Sequence, residues 1–154
     1  TNSFGAKLTA PLIIAEKIEL SSYQDIVDPA IKTITLEKKT ISQKGYSVTV
    51  NKIELAKKET RVYITVKNNG KSKFSLYGFN ALLIQGNKQY EEQSNYDADY
   101  PEVQTDLSVG IQTQGIICFP AIKSENFQLV FEGSSDNYRE YDSIKPYKFN
   151  VVVK

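Results

Sequence analysis

The sequence predicts an all-β protein, an immunoglobulin-like sandwich of two sheets and about eight strands. Apolar residues recur with period two in short runs: Val62, Ile64 and Val66 share one face while Tyr63, Thr65 and Lys67 share the other. Phe127, Leu129 and Phe131 repeat the pattern, as do Tyr147, Phe149, Val151 and Val153. Clusters of Gly, Asn, Asp, Ser and Pro part these runs at sandwich spacing, and no stretch between them sustains a helical period.

Residues 1–30 read as an N-terminal extension preceding a domain of residues 31–154. Leu8, Leu12, Ile14, Ile18 and Leu20 fit one face of an added strand, whereas Thr9 before Pro11 would cap a short helix from Leu12. Extended structure is the favoured reading. Asp28-Pro29 marks the junction, because proline disfavours a helical residue before it and cannot continue a ladder. The first domain strand is expected at residues 31–36.

In the next, 46–56, the apolar phase changes: Tyr46, Val48 and Val50 are even, Ile53 and Leu55 odd. A bulge near Asn51-Lys52 resolves the conflict, as where a strand passes from one sheet to the other. The strand at 60–68 ends in Asn68-Asn69-Gly70, residues that tolerate positive φ and signal a hairpin between apolar runs. Residues 73–85 double their apolar parity around Gly78, which predicts a second bulge. Gly86-Asn87 then turns into a strand at 88–92, and further strands are expected at 113–119, 126–132 and 145–153.

The chain of 154 residues is long enough for one core, and 40% apolar with 24% charged residues is a globular composition. No apolar run approaches the roughly 20 residues of a membrane helix. There is no histidine, so imidazole-based triads and His-ligated zinc or iron sites are excluded. There is no methionine either, so Thr1 is not an initiator and a longer precursor, with a signal or anchor upstream, is expected. A net charge of +1 argues against nucleic acid as partner. Lys38-Lys39 and Lys57-Lys58, beside Glu37, Glu54 and Glu59, read as solvated strand ends. Cys118 is the single cysteine, in an apolar strand without a neighbouring base, and reads as a small buried hydrophobe.

The loops carry what chemistry there is. Residues 91–106 hold six carboxylates and two tyrosines, Tyr96 and Tyr100, with no lysine or arginine. Asp97 and Asp99 would place two hard oxygens on one side of a turn, with Glu102 or Asp106 completing a calcium shell, although the EF-hand pattern is missing. A solvated acidic loop without a cofactor is the favoured alternative. Paired carboxylates also suit glycoside hydrolysis, but here they cluster on one loop with no cleft to keep one protonated, and no catalytic residues are assigned. The loop at 132–146 carries Tyr138, Arg139 and Tyr141, residue types rich in binding hot spots. The competing and favoured reading packs one of these tyrosines across the end of the sandwich.

Asn69, Gly70, Leu83, Gly86, Tyr90, Leu107, Gly110, Gly115, Phe119 and Pro120 together form a known outline. It resembles a family of immunoglobulin-like domains of unknown function in bacterial lipoproteins and exported proteins, over residues 31 to 153. Val109 stands where that family often has proline, and Pro120 follows Phe119 directly. The resemblance implies a secreted or tethered sandwich similar in shape to the mycobacterial immunoprotective extracellular antigen, and the single cysteine is compatible with export in a Gram-positive bacterium. It brings no catalytic residues.

The expected function is therefore non-catalytic: an extracytoplasmic binding or adhesion module meeting a protein or envelope component through end loops or a sheet face. Tyr96, Tyr100, Tyr138, Arg139 and Tyr141 are its candidate contacts. The alternatives are a structural spacer in a lipoprotein or anchored protein, and a calcium-dependent module built on the acidic loop.

Overall fold

The computed structural model describes residues 23–140 and 142–154. The expectations for Leu8 to Leu20, and for Tyr141, lie outside them. One helical turn, Tyr23–Val27, precedes nine strands among the described residues: β1 (Ala30–Ile34), β2 (Thr40–Gln43), β3 (Tyr46–Ala56), β4 (Glu59–Asn68), β5 (Phe74–Gln85), β6 (Lys88–Glu91), β7 (Gln112–Pro120), β8 (Phe127–Ser135) and β9 (Tyr147–Val151). All pairings are antiparallel. The first sheet runs β1-β3-β4-β7 with β2 also on β3, and the second runs β6-β5-β8-β9.

The all-β two-sheet sandwich is as the sequence predicts, with one strand more. β2 escapes the period-two reading because Ile41 is its only apolar residue and none of its residues is buried. It is held by a two-residue turn at Lys44-Gly45, both at positive φ (53° and 87°), the geometry that suits a twisted hairpin. The predicted hairpin at Gly86 also forms, with Gln85 opposite Lys88 and Gly86 at φ 62°.

The bulge in β3 falls where the phase changes: the register shifts between Val50 and Lys52, so Val48, Val50, Ile53 and Leu55 are all buried. The strand does not change sheets there. Instead its edge neighbour changes, from β2 along Tyr46 to Thr49 to β1 along Ile53 to Ala56. The second bulge lies in β5 between Tyr77 and Leu82, and it turns Phe79 into solvent, 70% exposed.

Asn68-Asn69-Gly70 corrects the hairpin expectation, since β4 and β5 belong to different sheets. The segment is an arch across the top of the sandwich. Asn68 is fully buried, its Nδ2 donating to Ser72 O at 2.7 Å and Leu107 O at 2.8 Å while Oδ1 accepts from Gly70 N. Gly70 is required by space, because a Cβ there would sit 2.5 Å from Tyr46 Cζ. Tyr46 in turn stacks on Phe74 at 4.7 Å, and Tyr147 Oη donates to its carbonyl. One aromatic column thus ties both sheets at this end.

Candidate functional site

β4 turns its even residues, Val62, Ile64 and Val66, into the core, so Glu59, Arg61 and Tyr63 point to the outer face of the first sheet. That face should be wet, yet Arg61 is 0% exposed. A buried guanidinium needs carboxylate partners. Arg61 Nε donates to Glu54 Oε1 at 2.7 Å and Nη1 to Glu59 Oε2 at 2.9 Å. Tyr63 Oη adds a bond to Glu54 Oε1 at 2.8 Å and accepts one from Gln24 Nε2, while Lys52 Nζ lies over the Tyr63 ring at 4.4 Å.

The acidic loop is the cover. Asn95 Nδ2 donates to Glu59 Oε1 at 2.7 Å and Tyr100 Oη to Glu59 Oε2 at 2.6 Å. Tyr23, from the helical turn, packs edge-on against the Tyr100 ring. The loop then runs along the outer edge of β7: Gln93 N donates to Cys118 O, Ile116 N to Pro101 O and Gln104 N to Thr113 Oγ1. Gly115 permits this closeness, since a Cβ there would meet Val103 Cγ2 at 2.7 Å. Leu107 completes the path by exchanging both backbone bonds with Phe74. The acidic side chains stay solvated as expected, with Glu91, Asp97, Asp99, Glu102 and Asp106 exposed, while the backbone, Asn95 and Tyr100 make the stretch a strap that closes a sheet edge.

Electrostatics follow from this burial. For Arg61, desolvation, which favours loss of the proton, is outweighed by Glu59 and Glu54, so its pKa is raised. Desolvation likewise opposes ionised Glu54, but Arg61 and Tyr63 prevail and hold its carboxyl below the usual range. Burial and the bond to Glu59 push the Tyr100 hydroxyl up, and burial with nearby Glu59 does the same to the Cys118 thiol. Cys118 is 4% exposed, as expected of a structural thiol.

Between the strap and the β5 bulge lies a cleft of about 550 Å³, lined among others by Phe79, Glu92, Tyr96, Asp99, Glu102 and Cys118. Tyr96 is 93% exposed and Phe79, edge-on to Tyr77, is 70% exposed, so the cleft carries two exposed aromatic rings beside three carboxylates. Of the proposed calcium ligands, Asp99 and Glu102 line it and Asp97 and Asp106 do not. Asp97 N bonds to Asn95 Oδ1, and Asp106 is engaged by Ser75 through both its amide and its carboxylate. No three carboxylate or thiol side chains converge as metal ligands among the described residues.

The other candidates stand apart, at the end of the sandwich. Tyr138 does not pack across that end: it is 80% exposed, with the Arg139 guanidinium 5.7 Å from its ring. The loop is anchored by Glu140 instead, whose Oε1 accepts from Tyr46 Oη and Ser135 Oγ, each at 2.7 Å. These bonds from Ser135 and Tyr46 lower the Glu140 pKa. Arg61, Glu54, Glu59 and Phe79 were not among the candidates drawn from sequence. A hairpin at Lys57-Lys58 would have revealed the first pair, for it sets Glu54 directly opposite Arg61.

No protein-family model and no curated protein matches the chain. Several solved structures share its fold, among them three bacterial proteins. The ycdA protein of Bacillus subtilis, described as a candidate lipoprotein, superposes with a TM-score of 0.61 at 15% identity over 77% of this chain and 39% of its own. The chain thus spans about two fifths of that protein. The yjhA protein of Bacillus subtilis gives 0.57 at 14% identity, over 73% and 96% of the two chains. A functionally unknown protein of Listeria monocytogenes gives 0.59 at 11% identity, over 88% and 93%.

Proposed function

We propose that the chain is a non-catalytic, extracytoplasmic binding or adhesion module of an exported protein, and that it meets a protein or cell-envelope component at the strap cleft. The observation that carries this reading is the pair Phe79 and Tyr96, 70% and 93% exposed on a cleft of about 550 Å³. Their surroundings are rigid. The strap that bears Tyr96 is fastened to the buried Glu59, itself paired with Arg61, and to β7, so an incoming partner has little backbone to order. Aromatic rings on such a base offer large contact area at small entropic loss. An exported location is supported by the description of the Bacillus subtilis neighbour as a candidate lipoprotein.

The test is co-sedimentation of the purified protein with isolated Gram-positive cell walls and membrane vesicles, beside a Phe79→Ala/Tyr96→Ala variant. Saturable binding by the wild type, weakened about tenfold or more in a variant of unchanged melting temperature, is the expected result. Equal binding by both proteins, or none by either, overturns the assignment.

A further inference from the structure

The two flanks of the sandwich carry opposite charge. From Lys88 to Lys123 no lysine or arginine intervenes, while Glu91, Glu92, Asp97, Asp99, Glu102 and Asp106 all fall between them. That stretch builds β6, the strap and β7, which is the whole of one flank. On the opposite flank β1 and β9 end their sheets, and a groove of about 760 Å³ lies between them. Lys32, Lys38, Lys148 and Lys154 line it against a single acid, Glu37. A net charge of +1 conceals this division.

The flanks also differ in closure. The strap hydrogen-bonds the outer edge of β7, whereas among the described residues no strand pairs with the outer edges of β1 and β9. Both flanks expose apolar side chains: Phe79 and Tyr96 on the acidic one, Ile31 at 76% and Val152 at 59% on the basic one. Opposite charge steers two surfaces together, and exposed apolar groups then hold them.

We infer that the basic groove between β1 and β9 receives the acidic strap flank of a second copy of this chain. It rests on the preceding reading of the strap as a contact surface and names one occupant for it. Because the two surfaces differ, the contact is head-to-tail, and its repetition builds open rows of copies rather than a closed dimer. A row of this kind suits a surface-displayed module, since many copies then share one attachment.

Sedimentation velocity over a concentration series tests this. Association should be visible at about 50 mM salt, with the dissociation constant rising about tenfold or more by about 500 mM. Lys32→Glu/Lys148→Glu and Asp99→Lys/Glu102→Lys should each be monomeric alone and should associate when mixed, because each then presents the charge the other lacks. Lys32→Gln/Lys148→Gln, also monomeric, serves if charge reversal disturbs folding. A wild type that stays monomeric throughout overturns the inference, as does association indifferent to salt and to both variants. Monomeric protein whose envelope binding still needs Phe79 and Tyr96 would remove the self-contact and leave the proposed function standing. Self-association without envelope binding would do the reverse.

Discussion

Arg61 Nη1 donates to Glu59 Oε2 at 2.9 Å on the outward face of a sheet, where both residues are nonetheless buried. The strap excludes water from the pair, and the pair fixes the strap through Asn95 and Tyr100. Removing the cation alone leaves the buried Glu59 carboxylate and the half-buried Glu54 carboxylate without Arg61 as their counter-charge. Arg61→Ala should therefore destabilise by about 3–5 kcal/mol and lower the melting temperature by about 10 °C. Arg61→Met with Glu54→Gln and Glu59→Gln should recover much of that loss in thermal melts. Limited proteolysis should cut Arg61→Ala first within 92–106.

Glu54 gives a pH dependence of definite sign. Its folded pKa lies below the ordinary 4.5, so its contribution is complete above that value and is lost as pH falls through the depressed one. Melting temperature should hold steady from neutrality to about pH 5 and then drop. In Glu54→Gln the acid limb should be shallower, with a lower plateau at neutral pH. A limb of unchanged steepness would show that Glu54 does not carry it.

The strands were legible because their signal is local: Val62, Ile64 and Val66 announce a face whatever they pack against. Both bulges were legible for the same reason, as breaks in a period. Asn68-Asn69-Gly70 was misread because its chemistry is set by distant groups, the carbonyl of Leu107 and the ring of Tyr46. Local propensity for a turn cannot distinguish a hairpin from an arch between sheets. The buried network was hidden likewise. A charged residue in an alternating strand looks solvated, and only the strap, arriving from 36 residues further along the chain through Asn95, makes Glu59 internal.

Gly70 and Gly86 should separate two uses of glycine. Gly70→Ala should cost about 1–3 kcal/mol through collision with Tyr46, and Gly70→Asn at least as much. At Gly86 a Cβ meets nothing within 4 Å, and the demand is φ 62° alone. Gly86→Ala should cost about 1 kcal/mol and Gly86→Asn less, because asparagine tolerates the left-handed region. Chemical denaturation of the four variants reads out the difference.

Tyr138 and Arg139 are exposed and touch chiefly each other. Replacing both with alanine should leave the melting temperature within about 1 °C of wild type, because surface pairs of this kind contribute little to stability. A larger drop would assign them to packing at the end of the sandwich.

Calcium demands six to eight oxygens around one point. Asp99 and Glu102 share the cleft with Glu92, but the three do not converge as metal ligands among the described residues, and Asp106 is held by Ser75. Melting curves in EDTA and in millimolar calcium are therefore expected to coincide. A ligand present at about a hundredfold its dissociation constant would add about 2.7 kcal/mol, a shift of several degrees in a chain of this size and easily seen. If such a shift occurred and vanished in Asp97→Ala/Asp99→Ala, the strap would have to rearrange to gather ligands. The cleft would then bind its partner through metal rather than through Phe79 and Tyr96.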